Sequence, residues 1–346
     1  MSSGDDIQAV RTGLPASPCF VSAVAVVTLF VFLAPGFSQT NLDQVHITPQ
    51  TITATKSPRE SGPSLDAAAR PLKVNVDLVL VPVTITDPLN RPVLGLDQEN
   101  FRVYENKQLQ AIRHFSTEDV PISVGVILDM SGSMGAKIER ARQAVIEFLK
   151  TANPQDEFFL MTFADRPQES VEFTNSIDEI QTRLLNMTPK GRTALIDAVY
   201  MGVSTMRRAR CTKKALLVIS DGGDNHSRYT ESELKHLLKE TDVMTYAIGI
   251  YDRYFSTEEE LLGPALLSDV SELTGGHTVT IDNPNDLADA AIKIGSELRN
   301  QYVIGYRPQS RQHDGKWHKI KIKLLPPKGL PPLRTYAKQG YYAPDE

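Results

Sequence analysis

Two largely apolar runs, each ending at a carboxylate, organise the middle of this chain. Residues 122–128 (Ile-Ser-Val-Gly-Val-Ile-Leu) stop at Asp129, and residues 215–219 (Ala-Leu-Leu-Val-Ile) stop at Ser220 and Asp221. Apolar runs this short, bounded by turn residues, read as strands covered on both faces. Residues 158–163 and 243–250 repeat the pattern, and 169–173 reads as a short edge strand. Between these runs the period changes. Ile138, Ala141, Val145, Phe148 and Leu149 share one face of a helix that begins near Lys137. Leu287, Ala291, Ile294 and Leu298 do the same in a last helix, which Asn283 and Pro284 introduce. A further helix is expected to open at residues 190–195. Strands alternating with helices predict an α/β body with a parallel sheet.

The flanks carry a period of two. Residues 74–86 are strongly β-like, and 101–104 with 111–115 suggest a hairpin about Asn106 and Lys107. After the last helix, 302–306, 316–324 and 334–336 again read as strands, with His318, Ile320, Ile322 and Leu324 alternating with lysines. Neither flank alone has enough strands for a stable sheet pair, but together they make about six. The expected architecture is therefore an α/β body over 121–299, inserted into a small β-sandwich built from 73–120 and 300–346. Two separate β appendages are the alternative.

The apolar run 19–34 changes the picture of the N-terminus. Residues 1–38 read as a signal peptide, with Gly36 and Ser38 placed for a cut before Gln39. Asp5 and Asp6 oppose Arg11 in the leading segment, so an uncleaved membrane anchor is the alternative. On either reading the bulk of the chain is exported to the periplasm, the cell surface or the medium. Residues 39–72, dominated by Thr, Ser, Pro and Ala, form a linker too poor in apolar groups to fold alone. The 346 residues leave room for about two domains. A net charge of −5 offers no basic surface for nucleic acid. Of the two cysteines, Cys19 lies in the leading segment, so cleavage would leave Cys211 without an intrachain partner.

The candidate chemistry lies where the buried strands end. Asp129, Ser131 and Ser133 occupy the loop leaving the first strand, Thr193 precedes a helix, and Asp221 follows the second strand. Ligands bind at the carboxyl ends of strands in open α/β sheets. This set offers oxygen only, which favours a hard cation: Mg²⁺, or Mn²⁺ or Ca²⁺. The alternative is a metal-free loop whose Ser and Asp side chains cap helices. Asp224 and His226 follow Asp221 and can line the same face, or stand as solvated loop residues. Ser131 or Ser133 with His226 as base would make a hydrolase, but neither serine sits in Gly-x-Ser-x-Gly, and no P-loop pattern is present. The late aromatics Tyr302, Tyr306, Trp317, Tyr336, Tyr341 and Tyr342 read as sheet packing rather than a carbohydrate platform.

On Asp129-x-Ser131-x-Ser133, then Thr193, then Asp221, the chain resembles a von Willebrand factor type A domain with its metal-ion-dependent adhesion site. Gly191-Arg192-Thr193-Ala194-Leu195 stands where that family often has Gly-Gly-Thr-Ala-Leu, so Arg192 sets a cation beside the site. Residues 101–106, 302–308 and 340–344 are further similar to a bacterial secreted family, the acidobacterial-type VWFA-related proteins. The resemblance implies a Rossmann-like, doubly wound, mostly parallel sheet. It also implies a non-catalytic protein that captures a protein partner. A divalent metal held by Asp129, Ser131, Ser133, Thr193 and Asp221 would take an Asp or Glu carboxylate from that partner, with Asp224, Arg192 and His226 at the second shell or rim. A scaffold or assembly subunit of a larger envelope complex would use the same site.

Overall fold

The computed structural model describes residues 78–117, 119–251, 258–309 and 314–344, all within one compact unit, Pro71–Glu346. The leading segment, the linker, Cys19 and the strand start at 74–77 lie outside the described residues.

Strands β1 (Val79–Thr86), β2 (Phe101–Glu105), β3 (Gln108–Gln110) and β4 (Ile112–Ser116) come first. An alternating series follows: β5 (Ile122–Asp129), α1 (Ile138–Leu149), β6 (Glu157–Phe163), β7 (Pro167–Thr174), α2 (Ile177–Leu185), α3 (Leu195–Thr205), β8 (Lys213–Ser220), α4 (Glu231–Lys239), β9 (Val243–Ile250), α5 (Glu258–Thr274), β10 (Thr278–Ile281) and α6 (Leu287–Arg299). The chain closes with β11 (Tyr302–Tyr306), β12 (Trp317–Leu324), β13 (Arg334–Ala337) and β14 (Gly340–Tyr342).

The alternating series forms one six-stranded sheet in the order β10-β9-β8-β5-β6-β7. All pairings are parallel except that of the edge strand β7 with β6. Every residue of β5, β6 and β9 is buried, as expected for strands covered on both faces. Val124, Val126 and Leu128 of β5 pack with α1, α2 and α6. Ile127, Phe159 and Leu216 face the opposite layer of α3, α4 and α5. The chain moves one way from β5 to β6 and the other way from β8 to β9, so β5 and β8 flank the point where strand order reverses. That is where a ligand crevice forms in a doubly wound sheet.

The flanking strands pair with each other across the insertion. One sheet has the order β13-β1-β11-β4 and the other β14-β12-β2-β3. β1 is antiparallel to β11 with Val83 opposite Tyr302, and β2 is antiparallel to β12 with Val103 opposite Ile322. Val81, Val83, Tyr302 and Ile304 from the first sheet share one core with Phe101, Val103 and Ile320 from the second. Eight strands take part, not the six expected. The hairpin also differs from the expected one. Asn106 and Lys107 do form its turn, at φ 47° and 72°, a backbone suited to a two-residue hairpin loop. Its second arm, however, is the short polar β3. The segment expected as that arm crosses after Ala111 to the other sheet as β4, where Phe115 packs on Phe101 and Tyr302.

A buried polar seam joins the inserted body to the sandwich. Gln301 Nε2 donates to Thr84 Oγ1 at 3.0 Å and to the Tyr246 hydroxyl at 3.2 Å. His277 Nε2 lies 2.7 Å from Glu297 Oε2, and Tyr336 of β13 stacks on the His277 ring at 4.4 Å. Gly275 has φ 92°, and a Cβ there would meet the Lys338 backbone nitrogen at 2.5 Å. Lys338 Nζ in turn reaches Thr241 O and Asp242 Oδ1. At the last residue of α6, Arg299 holds Asp119 and Asp156, and Asp156 accepts the Ile122 N–H that opens β5.

Removal of residues 300–346 takes β11 from between β1 and β4 and β12 from beside β2, leaving open edges and an uncovered apolar face. Limited proteolysis of that truncated chain should cut 78–117 rapidly while 121–299 resists. Protection of 78–117 equal to that in the full chain would mean that the two flanks fold independently.

Candidate metal centre

Asp129 is the last residue of β5 and has no exposure to solvent. Its Oδ1 accepts the Ser131 N–H at 2.8 Å, and its Oδ2 accepts the Ser220 hydroxyl at 2.5 Å. Beyond it the chain makes a 3₁₀ turn, Gly132–Ala136, before α1 begins. The turn brings Ser133 back towards β8. Ser131 Oγ and Ser133 Oγ are 3.0 Å apart, and Ser133 Oγ donates to Asp221 Oδ1 at 2.9 Å. Asp221 is 2% exposed, and its second oxygen, Oδ2, takes the ammonium of Lys137 at 2.9 Å. Four of the five expected residues thus form one continuous hydrogen-bonded chain from the end of β5 to the end of β8.

Thr193 reaches the same place through its backbone. Its N–H donates to Asn225 Oδ1 at 2.9 Å, and its carbonyl accepts from the Asn225 and His226 N–H groups. Gly132 N–H donates to Gly191 O at 3.0 Å, and Lys190 N–H to Met130 O at 2.8 Å, so the Thr193 loop lies against the Ser131–Ser133 loop. Gly191 is required there. Its φ is 92°, and a Cβ would stand 2.8 Å from Asp165 Oδ2, while Asp165 Oδ1 receives the Arg192 N–H. The Thr193 hydroxyl makes no hydrogen bond to the other four residues.

The neighbouring residues divide. Asp224 is no solvated loop residue: it is half-buried, and its Oδ1 accepts the Ile196 N–H and the Ser227 hydroxyl at the opening of α3. That is helix-end work, which a side-chain oxygen does well. Arg192 and His226 are exposed at the rim, with Arg192 Nη1 3.3 Å from His226 Nδ1. His226 therefore pairs with a cation and not with Ser131 or Ser133. Ser220, which bonds Asp129, and Lys137, which bonds Asp221, were not singled out in the sequence. Ser220 is a hydroxyl one position before the carboxylate, and Lys137 a cation four positions after Ser133, and those spacings are the only signals they leave.

The electrostatics of the site are unbalanced. Burial drives the Asp129 carboxyl up to about 7, and the charge of Asp221 pushes the same way. Lys137 is the one cation bonded to either carboxylate among the described residues. The hydroxyl of Tyr251, also raised by burial and by Asp221, is buried without a partner among the described residues. A divalent cation would relieve this imbalance. Among the described residues no group of three or more His, Cys, Asp and Glu side chains gathers. The donor set here is two carboxylates and three hydroxyls, all oxygen, which fits a hard cation that keeps some of its waters. Asp129 and Asp221 would supply the charge, and Ser131, Ser133 and Thr193 the neutral oxygens.

Comparison with known proteins agrees with this fold. The family model for the von Willebrand factor type A domain matches residues 124–223, a stretch that contains all five candidate ligands. The chain contains a von Willebrand factor type A domain. It is 30% identical over 100 residues to inter-alpha-trypsin inhibitor heavy chain H4 of Bos taurus, covering 27% of this chain and 11% of that protein. It is 28% identical over 155 residues to heavy chain H3 of Pongo abelii, covering 43% of this chain and 17% of that one. The chain thus spans a small part of the curated relatives it matches. Among solved structures, a von Willebrand factor type A protein from Catenulispora acidiphila overlays with a TM-score of 0.46 at 15% identity, over 78% of this chain and 64% of that one. The vWF domain of the type V pili tip protein Mfa5 from Porphyromonas gingivalis overlays at 0.41 and 15% identity, over 51% and 95%.

The raised Asp129 group predicts a pH dependence. The unfolded chain releases this proton near 3.8, whereas the folded chain holds it to about 7. Its destabilising effect is therefore absent below the lower value, grows between the two, and is complete above the upper. In protein stripped of divalent cations, Asp129→Asn should gain on wild type by a few kcal/mol, on the order of the shift at about 1.4 kcal/mol per unit, between pH 4 and pH 8. Denaturant unfolding of both proteins across that range is the check. A stability difference that does not vary with pH would refute the assignment.

Proposed function

We propose that this chain is a non-catalytic, exported protein that captures a protein partner through a divalent cation, Mg²⁺ or else Mn²⁺ or Ca²⁺. Asp129, Ser131, Ser133, Thr193 and Asp221 hold the cation, and an Asp or Glu carboxylate of the partner completes its coordination. The observation that carries this reading is the unbroken run from Ser131 through Ser133 to Asp221 beside a buried, charge-strained Asp129. Few carboxylates leave a bound divalent ion electrophilic, so an outside carboxylate is a fitting last ligand. Arg192 on the rim adds attraction for an acidic partner. A role as an assembly subunit of an envelope complex would use the same contact and differ only in what is docked. In the proposed domain plan, residues 121–299 are the binding body, the flanks 73–120 and 300–346 its mount, and residues 1–38 the export signal or anchor. Among the described residues no helix is long and apolar enough to cross a membrane.

Calorimetry on purified protein should find one Mg²⁺ or Mn²⁺ per chain. Asp221→Ala removes a charged ligand and should weaken that binding by at least about tenfold, a modest value for a close charge in a buried site. Asp224→Ala should lower stability through α3 and leave metal affinity within about twofold, since a lost cap costs helix stability. Equal metal affinity of wild type and Asp221→Ala would refute the site. Partner capture should vanish in EDTA, return with Mg²⁺ or Mn²⁺, and fail in folded Ser133→Ala or Thr193→Ala protein. Capture that survives EDTA would refute the mechanism.

A further inference from the structure

Lys137 occupies a position that its own helix does not favour. It is the residue immediately before α1, with no side-chain cap hydrogen bond. Helix starts favour Ser, Thr, Asp or Asn there, and the positive end of the helix dipole opposes an ammonium. The side chain instead runs back over the 3₁₀ turn and places Nζ 2.9 Å from Asp221 Oδ2, with the lysine side chain 15% and the aspartate 2% exposed. The other Asp221 oxygen takes the Ser133 hydroxyl, and both oxygens of Asp129 are held by Ser131 N–H and Ser220 Oγ. Asp221 Oδ2 is thus the one carboxylate oxygen of the site whose bonded partner is a cation. Charges this close in a buried site interact strongly, so a metal bound among these residues must contend with the lysine.

We propose that Lys137 is a tethered cation that competes with the divalent metal for Asp221. In the metal-free protein it offsets part of the charge of the paired carboxylates and keeps the loop after β5 closed onto β8. When metal binds, the ammonium lies within a few ångström of it, so affinity is held below what the oxygen ligands alone would give. Lys137 is therefore an affinity-setting residue and not a ligand. The inference rests on the metal reading above.

The test is titration of Mg²⁺ and Mn²⁺ into the full chain, wild type against Lys137→Met and Lys137→Arg, with thermal unfolding in EDTA and in saturating Mg²⁺. Lys137→Met should bind Mg²⁺ roughly tenfold more tightly, the direction set by removing a nearby like charge. It should also melt below wild type in EDTA and gain more than wild type from added Mg²⁺. Lys137→Arg, which keeps the charge, should stay near wild type. If Lys137→Met does not fold, Lys137→Gln serves in its place with the same expected sign. A purely structural lysine would lower stability equally with and without metal and leave the metal constant unchanged, and that result overturns the proposal alone. Absence of metal binding in wild type and in the uncharged variant overturns both the proposal and the metal site.

Discussion

The amide of Gln301 is the fastening on which this molecule depends. It stands between the end of α6 and the start of β11, where the chain leaves the α/β body and re-enters the sandwich. A buried amide is costly unless its polar atoms find partners; the Gln301 nitrogen reaches Thr84 of β1 and Tyr246 of β9, while its oxygen has no partner among the described residues. One side chain therefore ties together the first strand of the sandwich, the central sheet of the insert and the strand that follows. The His277–Glu297 pair and the stacked Tyr336 extend the seam, and Arg299, between Glu297 and Gln301 in the chain, is held to Asp156. With the end of β4 paired to the start of β11, Ser116 opposite Val303, the inserted body hangs from adjacent points of one β-sheet without breaking its pairing.

The strain at the site follows from the same packing. β5 is central and buried throughout, so its last residue ends in a region that water does not reach. A carboxylate placed there must be neutralised, protonated or given a cation. The Ser131 N–H and the Ser220 hydroxyl can share its hydrogen bonds but not its charge. Burial of the strand and readiness of the site are thus one property: what makes β5 a good core strand makes Asp129 an expensive anion.

Much of this was legible in the residues themselves. Largely apolar runs ending in Asp129 and Asp221 identified the two strands that bear the site, because a strand covered on both faces leaves few polar positions along its length. The helical stripes of α1 and α6 were equally plain. Reading Asp129, Ser131, Ser133, Thr193 and Asp221 as one set needed the likeness to a known domain, since the residues come from three loops far apart in sequence. The contacts of Lys137 and Ser220 escaped because they arise from the 3₁₀ turn and from strand adjacency, neither of which has a periodicity. β3 escaped for another reason: three residues, largely exposed and polar, make no hydrophobic pattern, and the crossing after Ala111 is decided by Phe115 packing on Phe101 and Tyr302. Asp224 looked like an ordinary loop aspartate, and only the three-dimensional approach of the loop to α3 gives it a cap to make.

The antiparallel pairing of β1 with β11 has a mechanical consequence. Val79, where β1 begins, lies opposite Tyr306, where β11 ends, and Val83 lies opposite Tyr302, where β11 begins. Tension between the loops of the candidate site and the start of β1 enters β11 from its α6 end and leaves β1 at the opposite end of the pair. The two strands are then pulled along their length in opposite directions, which loads the bonds of the ladder together instead of peeling them singly. A body mounted in this fashion resists traction at its base.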